Sequence, residues 1–277
     1  MNTPPGTPWL TVQTGSAPLL LCMPHTGTDI PAELEQDFVS PWLARRDTDW
    51  WIDRLYAFAG PLGASVVRTG ISRSVIDMNR DPSGASLYPG QPTTELCPTT
   101  TFDGEPLYRD ARVPAPAEIQ RRRARYFEPY HRAVAEQIAR LRRTHPRVVV
   151  YDCHSIRSQI PRLFPGTLPN FNIGTFSGAS CDAQLTRAVE KACDAGGWSH
   201  ITDGRFKGGY TTRHYGRPDE GVHAVQMELA CRSYLREPAV PDASNWPVPW
   251  SAAEAQPLQA ILERVLQACL RFALHGH

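Results

Sequence analysis

Two stretches of this chain, "PLLLCMPH" and "RVVVYDCH", stay apolar at consecutive positions for about a strand's length and then switch abruptly to polar residues. A strand with one wet face alternates. An unbroken apolar run is what a strand needs when both faces of its sheet are covered. "ASVVRTG" and "VHAVQMEL" read as further strands. Helical patterns lie between them. "DTDWWIDRLYAFAGPLG" spaces Trp51, Leu55, Phe58 and Leu62 three or four apart. "PAEIQRRRARYFEPYHRAVAEQIARLRRTH" is a long amphipathic segment, kinked at Pro129, with its arginines on a solvated face. "CDAQLTRAVEKACDAG" and "AEAQPLQAILERVLQACLRFALH" complete the set. The alternation predicts an α/β fold, a single domain with a mostly parallel or mixed central sheet and helices on both faces.

At 277 residues there is material for a sizeable core, and no repeat, low-complexity tract or linker divides it, so one domain over residues 1–277 is expected. A formal charge of +1 without long runs of one sign argues against nucleic acid or a membrane surface as partner. No apolar run approaches the ~20 residues of a membrane span. The N-terminal "MNTPPGTPWLTVQTG" lacks a basic segment followed by an apolar one, so a cytoplasmic location is expected. Seven scattered cysteines without a CxxC pair read as reduced thiols. Cys153 is a candidate nucleophile, but alternation turns it away from its neighbour His154. Prolines concentrate in residues 81–116 and 238–249, and the first of these stretches is long enough to be a lid or binding wall.

Three strands end in titratable chemistry: His25 after "LLLCMP", His154 after "VVVYD" and Glu228 after "HAVQM". Open α/β sheets bind ligands at the carboxyl edge of their strands. Two imidazoles and a carboxylate suit a zinc ion with one position left for water. Asp152 is placed to orient His154 rather than to ligate. The segment "GISRSVIDMNRDPSG" crowds Arg73, Asp77, Asn79 and Arg80 together, and "GRFKGGYTTRHYGRP" brings Arg205, Lys207, Arg213 and Arg217 amid glycines. Arginine holds a carboxylate in a two-pronged fork, so these groups look aimed at a small acid. The competing reading is a set of surface ion pairs.

Longer stretches add a family likeness. "PHTGTDIP", "SRSVIDMNRDPSGASLYPGQ", "TTELCPTTTFDGEPLY", "DCHSIRSQIPRLFPGTLPNFNIGT" and "GRFKGGYTTRHYGRPDEGVHAVQMELACRSYLRE" together resemble the N-formylglutamate amidohydrolase (deformylase) family, from about residue 20 to 237. More remotely the chain is similar to the zinc carboxypeptidase and aspartoacylase group, which implies a zinc-carboxypeptidase-like sheet. The resemblance implies hydrolysis of N-formyl-L-glutamate to formate and L-glutamate, the last step of one histidine-degradation route. It implies one zinc ion on His25, an acid and His154, with Asn79 and Arg80 binding a substrate carboxylate and Glu228 as base. The remote group's acidic ligand follows its first histidine by three residues, where this chain has Thr28. Asp49 is taken as the substitute, with Asp29 and Asp47 as rivals. Arg73 or Arg80 is the expected oxyanion partner, and Arg213 is assigned the second carboxylate. Two alternatives remain at this level: a deacylase of another N-acyl acidic amino acid, and a non-catalytic acidic-amino-acid-binding protein.

Overall fold

A computed structural model describes residues 7–194 and 196–276. The first six residues, part of the N-terminal stretch discussed above, lie outside the described residues. The strands are β1 (Leu10–Gln13), β2 (Leu19–Met23), β3 (Ser65–Thr69), β4 (Val148–Ile156), β5 (Phe171–Gly174), β6 (His200–Thr202) and β7 (Val222–Ala230). The helices are α1 (Ala32–Glu35), α2 (Ile52–Leu55), α3 (Pro116–Arg122), α4 (Glu128–Arg142), α5 (Ala183–Asp194), α6 (Tyr210–Tyr215) and α7 (Ala252–His275). One mixed sheet runs in the order β1-β3-β2-β4-β7-β5-β6. Its centre, β3-β2-β4-β7, is parallel, while β1 joins β3 antiparallel and β5 joins β7 antiparallel. The expected single-domain α/β architecture with a mixed sheet is what the chain forms.

Strand parity divides the core. Val149, Tyr151 and Cys153 of β4, with Val225, Met227 and Leu229 of β7, pack on the side of α5 and α7. Val148, Val150 and Ala224 face α4 through Tyr130, Ala133 and Val134. The run is fully buried in β2, β4 and β7, as unbroken apolar strands require. Helix α7 starts on a Ser251–Glu254 cap and buries Leu258, Leu262, Val265, Leu266 and Phe272, each contributing about 1.5–3 kcal/mol of transfer free energy. All seven cysteines are free and buried, and the Cys153 thiol is pushed well up by burial and then by Asp152, which makes it a core residue. Among the described residues no helix is long and apolar enough to cross a membrane.

Four local expectations need correction. The segment 47–63 forms only the single turn α2 and a 3-10 turn at Ala57–Ala59. Trp51 stands in the left-handed region at φ 62°, where no helix can propagate, and Gly60-Pro61 closes the other end. The segment from 116 does not bend as one helix. A π-helical turn, Arg123–Phe127, separates α3 from α4, with Pro129 in the first turn of α4. Proline has no N–H to donate and its ring would meet the carbonyl four residues earlier, so the turn before it widens. The arginines there are not all solvated, since Arg122 is 2 % exposed. Finally, β4 and β7 continue two residues past His154 and Glu228, so both lie inside strand ends rather than beyond them.

Candidate active site

The same parity that sorts the core aims the site residues. Asp152 and His154 share the α4-side face of β4, and Gln226 and Glu228 share that face of β7, with His154 directly beside Glu228 in the ladder. His25 follows β2 after one turn and is 4 % exposed. Asp49 arrives because its backbone N–H donates to His25 O (3.0 Å) and its carboxylate accepts from Ser155 N (3.2 Å).

Residues 71–79 are buried throughout yet form neither helix nor strand. Such a loop must satisfy its carbonyls with side chains. Tyr108 Oη donates to Ser74 O at 3.2 Å, Arg122 Nη1 to Val75 O at 3.0 Å, and His131 Nε2 to Met78 O at 2.8 Å. Burial pushes His131 down from 6.5 to about 3, so it props the loop as a neutral ring. Val75, Ile76 and Met78 point into the core, which leaves Arg73, Asp77 and Asn79 for the site.

His25 Nδ1 lies 3.1 Å from His154 Nδ1, His154 Nδ1 lies 3.0 Å from Asp49 Oδ2, and His25 Nδ1 lies 3.6 Å from Asp49 Oδ2. Each outer ring nitrogen meets an acid: Asp77 Oδ1 at 2.6 Å from His25 Nε2 and Asp152 Oδ2 at 3.0 Å from His154 Nε2. A carboxylate there favours the Nε2–H tautomer and turns the Nδ1 lone pair inward. Three electron-rich atoms then face one another. Ligands about 2.0–2.2 Å from a tetrahedral zinc are ~3.3–3.5 Å apart, so this trio fits such an ion in spacing and donor type. His25, Asp49 and His154 are thus brought together as a group that could hold a metal ion. Of the rival acids, Asp29 is exposed and Asp47 accepts from Phe102 N at 2.7 Å.

Charge within the site is strongly coupled. Burial would raise the Asp49 carboxyl, but His25 and His154 outweigh it and hold it well below the usual range. Burial likewise opposes Asp77, which His25, Arg73 and Arg80 nevertheless keep ionised. His154 is lowered by burial, then raised well above an ordinary imidazole by Asp152 and Asp49. Glu228 goes the other way: burial first, set against His154 and reinforced by Asp49, lifts it from 4.5 to about 8.

A cleft of about 590 Å³, counted to its open mouth, lies over this group and is lined by His25, Arg73, Asn79, Arg80, His154 and Glu228, among others. Arg73 is fixed by Asp77 Oδ2 (2.7 Å) and by the Phe102 ring, 4.7 Å from its Cζ. Asn79 works as a tie: Oδ1 accepts from Thr211 N (2.7 Å) and Nδ2 donates to Asp152 Oδ2 (3.0 Å). Arg80 donates to Thr94 O and Thr94 Oγ1, both at 3.0 Å. Arg213 does not line the cleft; its guanidinium sits between the rings of Tyr88 and Phe176, at 4.9 and 4.6 Å. Arg205 lines it instead. That segment showed both arginines in the sequence, and nothing in their spacing separated them. Arg122 and His131 were missed because an amphipathic helix gives no sign that one of its arginines is buried.

Fold and site define an α/β protein with an arginine-lined cleft above a buried His–Asp–His group at the carboxyl edge of its parallel strands. Residues 17–235 match the N-formylglutamate amidohydrolase family model. The N-formylglutamate deformylase of Pseudomonas aeruginosa is 44% identical over 262 residues, covering 94% of this chain and 96% of that protein. The deformylase of Pseudomonas putida is also 44% identical, with 94% and 95% covered. The crystal structure of N-formylglutamate amidohydrolase from Ralstonia eutropha JMP134 superposes with a TM-score of 0.75 at 25% identity, covering 95% of this chain and 96% of that one. The chain belongs to the N-formylglutamate amidohydrolase family.

Proposed function

We propose that this protein hydrolyses N-formyl-L-glutamate to formate and L-glutamate, with zinc bound by His25, Asp49 and His154. The supporting observation is one cleft whose floor holds the two histidines of that donor trio, with Asp49 beneath them, and whose lining adds the buried Glu228 and cationic walls. The names of relatives sharing 44% identity point the same way. When bound, zinc would supply a Lewis acid that polarises the formyl carbonyl and brings the pKa of water toward ~7.

The chain's own residues do the rest. Glu228 Oε2 accepts from Gln226 Nε2 at 3.2 Å, which leaves Oε1 for the attacking water. Glu228 takes a proton from that water as its oxygen adds to the formyl carbon, then delivers it to the nitrogen as the C–N bond breaks. Arg73 stabilises the oxyanion. Arg80 draws the substrate carboxylate into place, on a wall ordered by Asn79. A cytoplasmic site of action and a place at the end of histidine degradation belong to this proposal.

Formate release from N-formyl-L-glutamate tests it. Turnover that stops on chelation and returns with zinc is the expected result. No formate, faster release of a different acyl group, or full turnover from metal-stripped protein would each overturn it.

A further inference from the structure

We infer that Arg205 is the residue that selects a dicarboxylate, by holding the side-chain carboxylate of the substrate; this rests on the function proposed above. Arg205 lines the cleft. Its Nε donates to Leu163 O at 2.9 Å and its Nη2 to Pro92 O at 2.8 Å. Two neutral carbonyls fix the guanidinium without neutralising it. Among the described residues Arg205 makes no ion pair, and its Nη1 has no partner. The flanking rings of Phe206 and Tyr88, 5.3 and 5.4 Å from its Cζ, hold the plane and shed water from it.

A half-buried, oriented and uncompensated charge on a cleft wall calls for an anion. Burial presses first against its charge and Arg80, on the same cleft, adds to that against the smaller support of Tyr88 and Glu228, so a ligand with two negative groups relieves both arginines. The division of labour follows from position. Arg80 Nε is 3.9 Å from Asp77, which touches His25, so Arg80 stands beside the reacting end. The α-carboxylate is one carbon from the scissile nitrogen and belongs there. The side-chain carboxylate lies two methylenes further, toward Arg205. Arg213 is a positioning residue: it backs Tyr88, whose hydroxyl donates to Gly208 O at 3.0 Å.

The test compares the zinc-loaded wild type with Arg205→Gln and Arg205→Lys on N-formyl-L-glutamate and N-formyl-L-glutamine, with metal content measured throughout. Removing one partner of a desolvated charge pair should lower kcat/KM on formylglutamate by ~10²-fold or more, chiefly through KM. Formylglutamine turnover should change little, and lysine should restore part of the loss because it keeps the charge but not the fork. Equal losses on both substrates, or an unchanged preference for formylglutamate, would overturn the assignment. If the wild type releases formate from neither substrate, the proposed function falls. Glutarate binding by calorimetry then decides for Arg205: tighter binding to wild type than to Arg205→Gln upholds the carboxylate site, and equal binding refutes it.

Discussion

His154 Nδ1 stands 3.0 Å from the carboxylate of Asp49, a residue 105 positions earlier in the chain. Asp49→Ala should therefore lose stoichiometric zinc and formate release together. Asp47→Ala, whose carboxylate holds Phe102 N, should keep its metal and lose activity only through the displaced Phe102. Asp152→Asn should weaken metal affinity by about 10–100-fold by releasing the outer nitrogen of His154. Atomic emission on dialysed protein reads all three, and a metal-free Asp47→Ala beside a loaded Asp49→Ala would reverse the ligand assignment.

Glu228→Gln preserves shape and the contact with Gln226 while removing the proposed base. It should retain zinc and substrate binding and lose ~10²–10⁴ in kcat. Its effect on stability is the opposite. With its carboxyl raised from 4.5 to about 8, the folded protein binds the extra proton in that window. Stability attributable to this group therefore falls as pH rises from 4.5 toward 8. Chelator-treated Glu228→Gln should lack that slope in urea titrations, and an identical slope would assign it elsewhere.

His131 has the reverse sign. Its folded value is lowered from 6.5 to about 3, so the unfolded chain binds more protons between those limits. Stability from this group is full above 6.5 and is lost as pH falls toward 3, with a slope approaching ~1.4 kcal/mol per pH unit. His131→Gln, which can still donate to Met78 O, should flatten the acid limb of the stability profile.

Arg122 joins Glu118, Tyr108 and the Val75 carbonyl beneath the site loop. Arg122→Met leaves the Val75 carbonyl unpaired and takes a donor from Tyr108 Oη, while Glu118 keeps Arg121, and should cost about 1–3 kcal/mol. Chemical denaturation measures the loss, and a change under 1 kcal/mol would show the loop to be held by other contacts.

Much of this was legible in the chain. Unbroken apolar runs marked β2 and β4, and period-two parity correctly separated Cys153 from His154. Short strands such as β5 and β6 carry too few residues for a periodic signal. The segment around Asp49 misled because Trp51, Leu55 and Phe58 repeat like a helix, while burying Asp49 beside His25 demanded a different path. Tertiary demands overrode local periodicity there. Tyr88 touches both Arg205 and Arg213, and the choice between them depended on which one faces the cleft and which is closed off by Phe176, which residue type does not encode.

Strand β7 lies between β4 and β5, both of which precede it in the chain. During synthesis from the N-terminus, His25, Asp49 and His154 have all left the ribosome before Glu228 is made. The nascent chain thus carries all three residues of the proposed metal site while it still lacks the proposed base. Its last strand must slot between two strands made before it, so the step that completes the sheet is also the one that brings Glu228 beside His154.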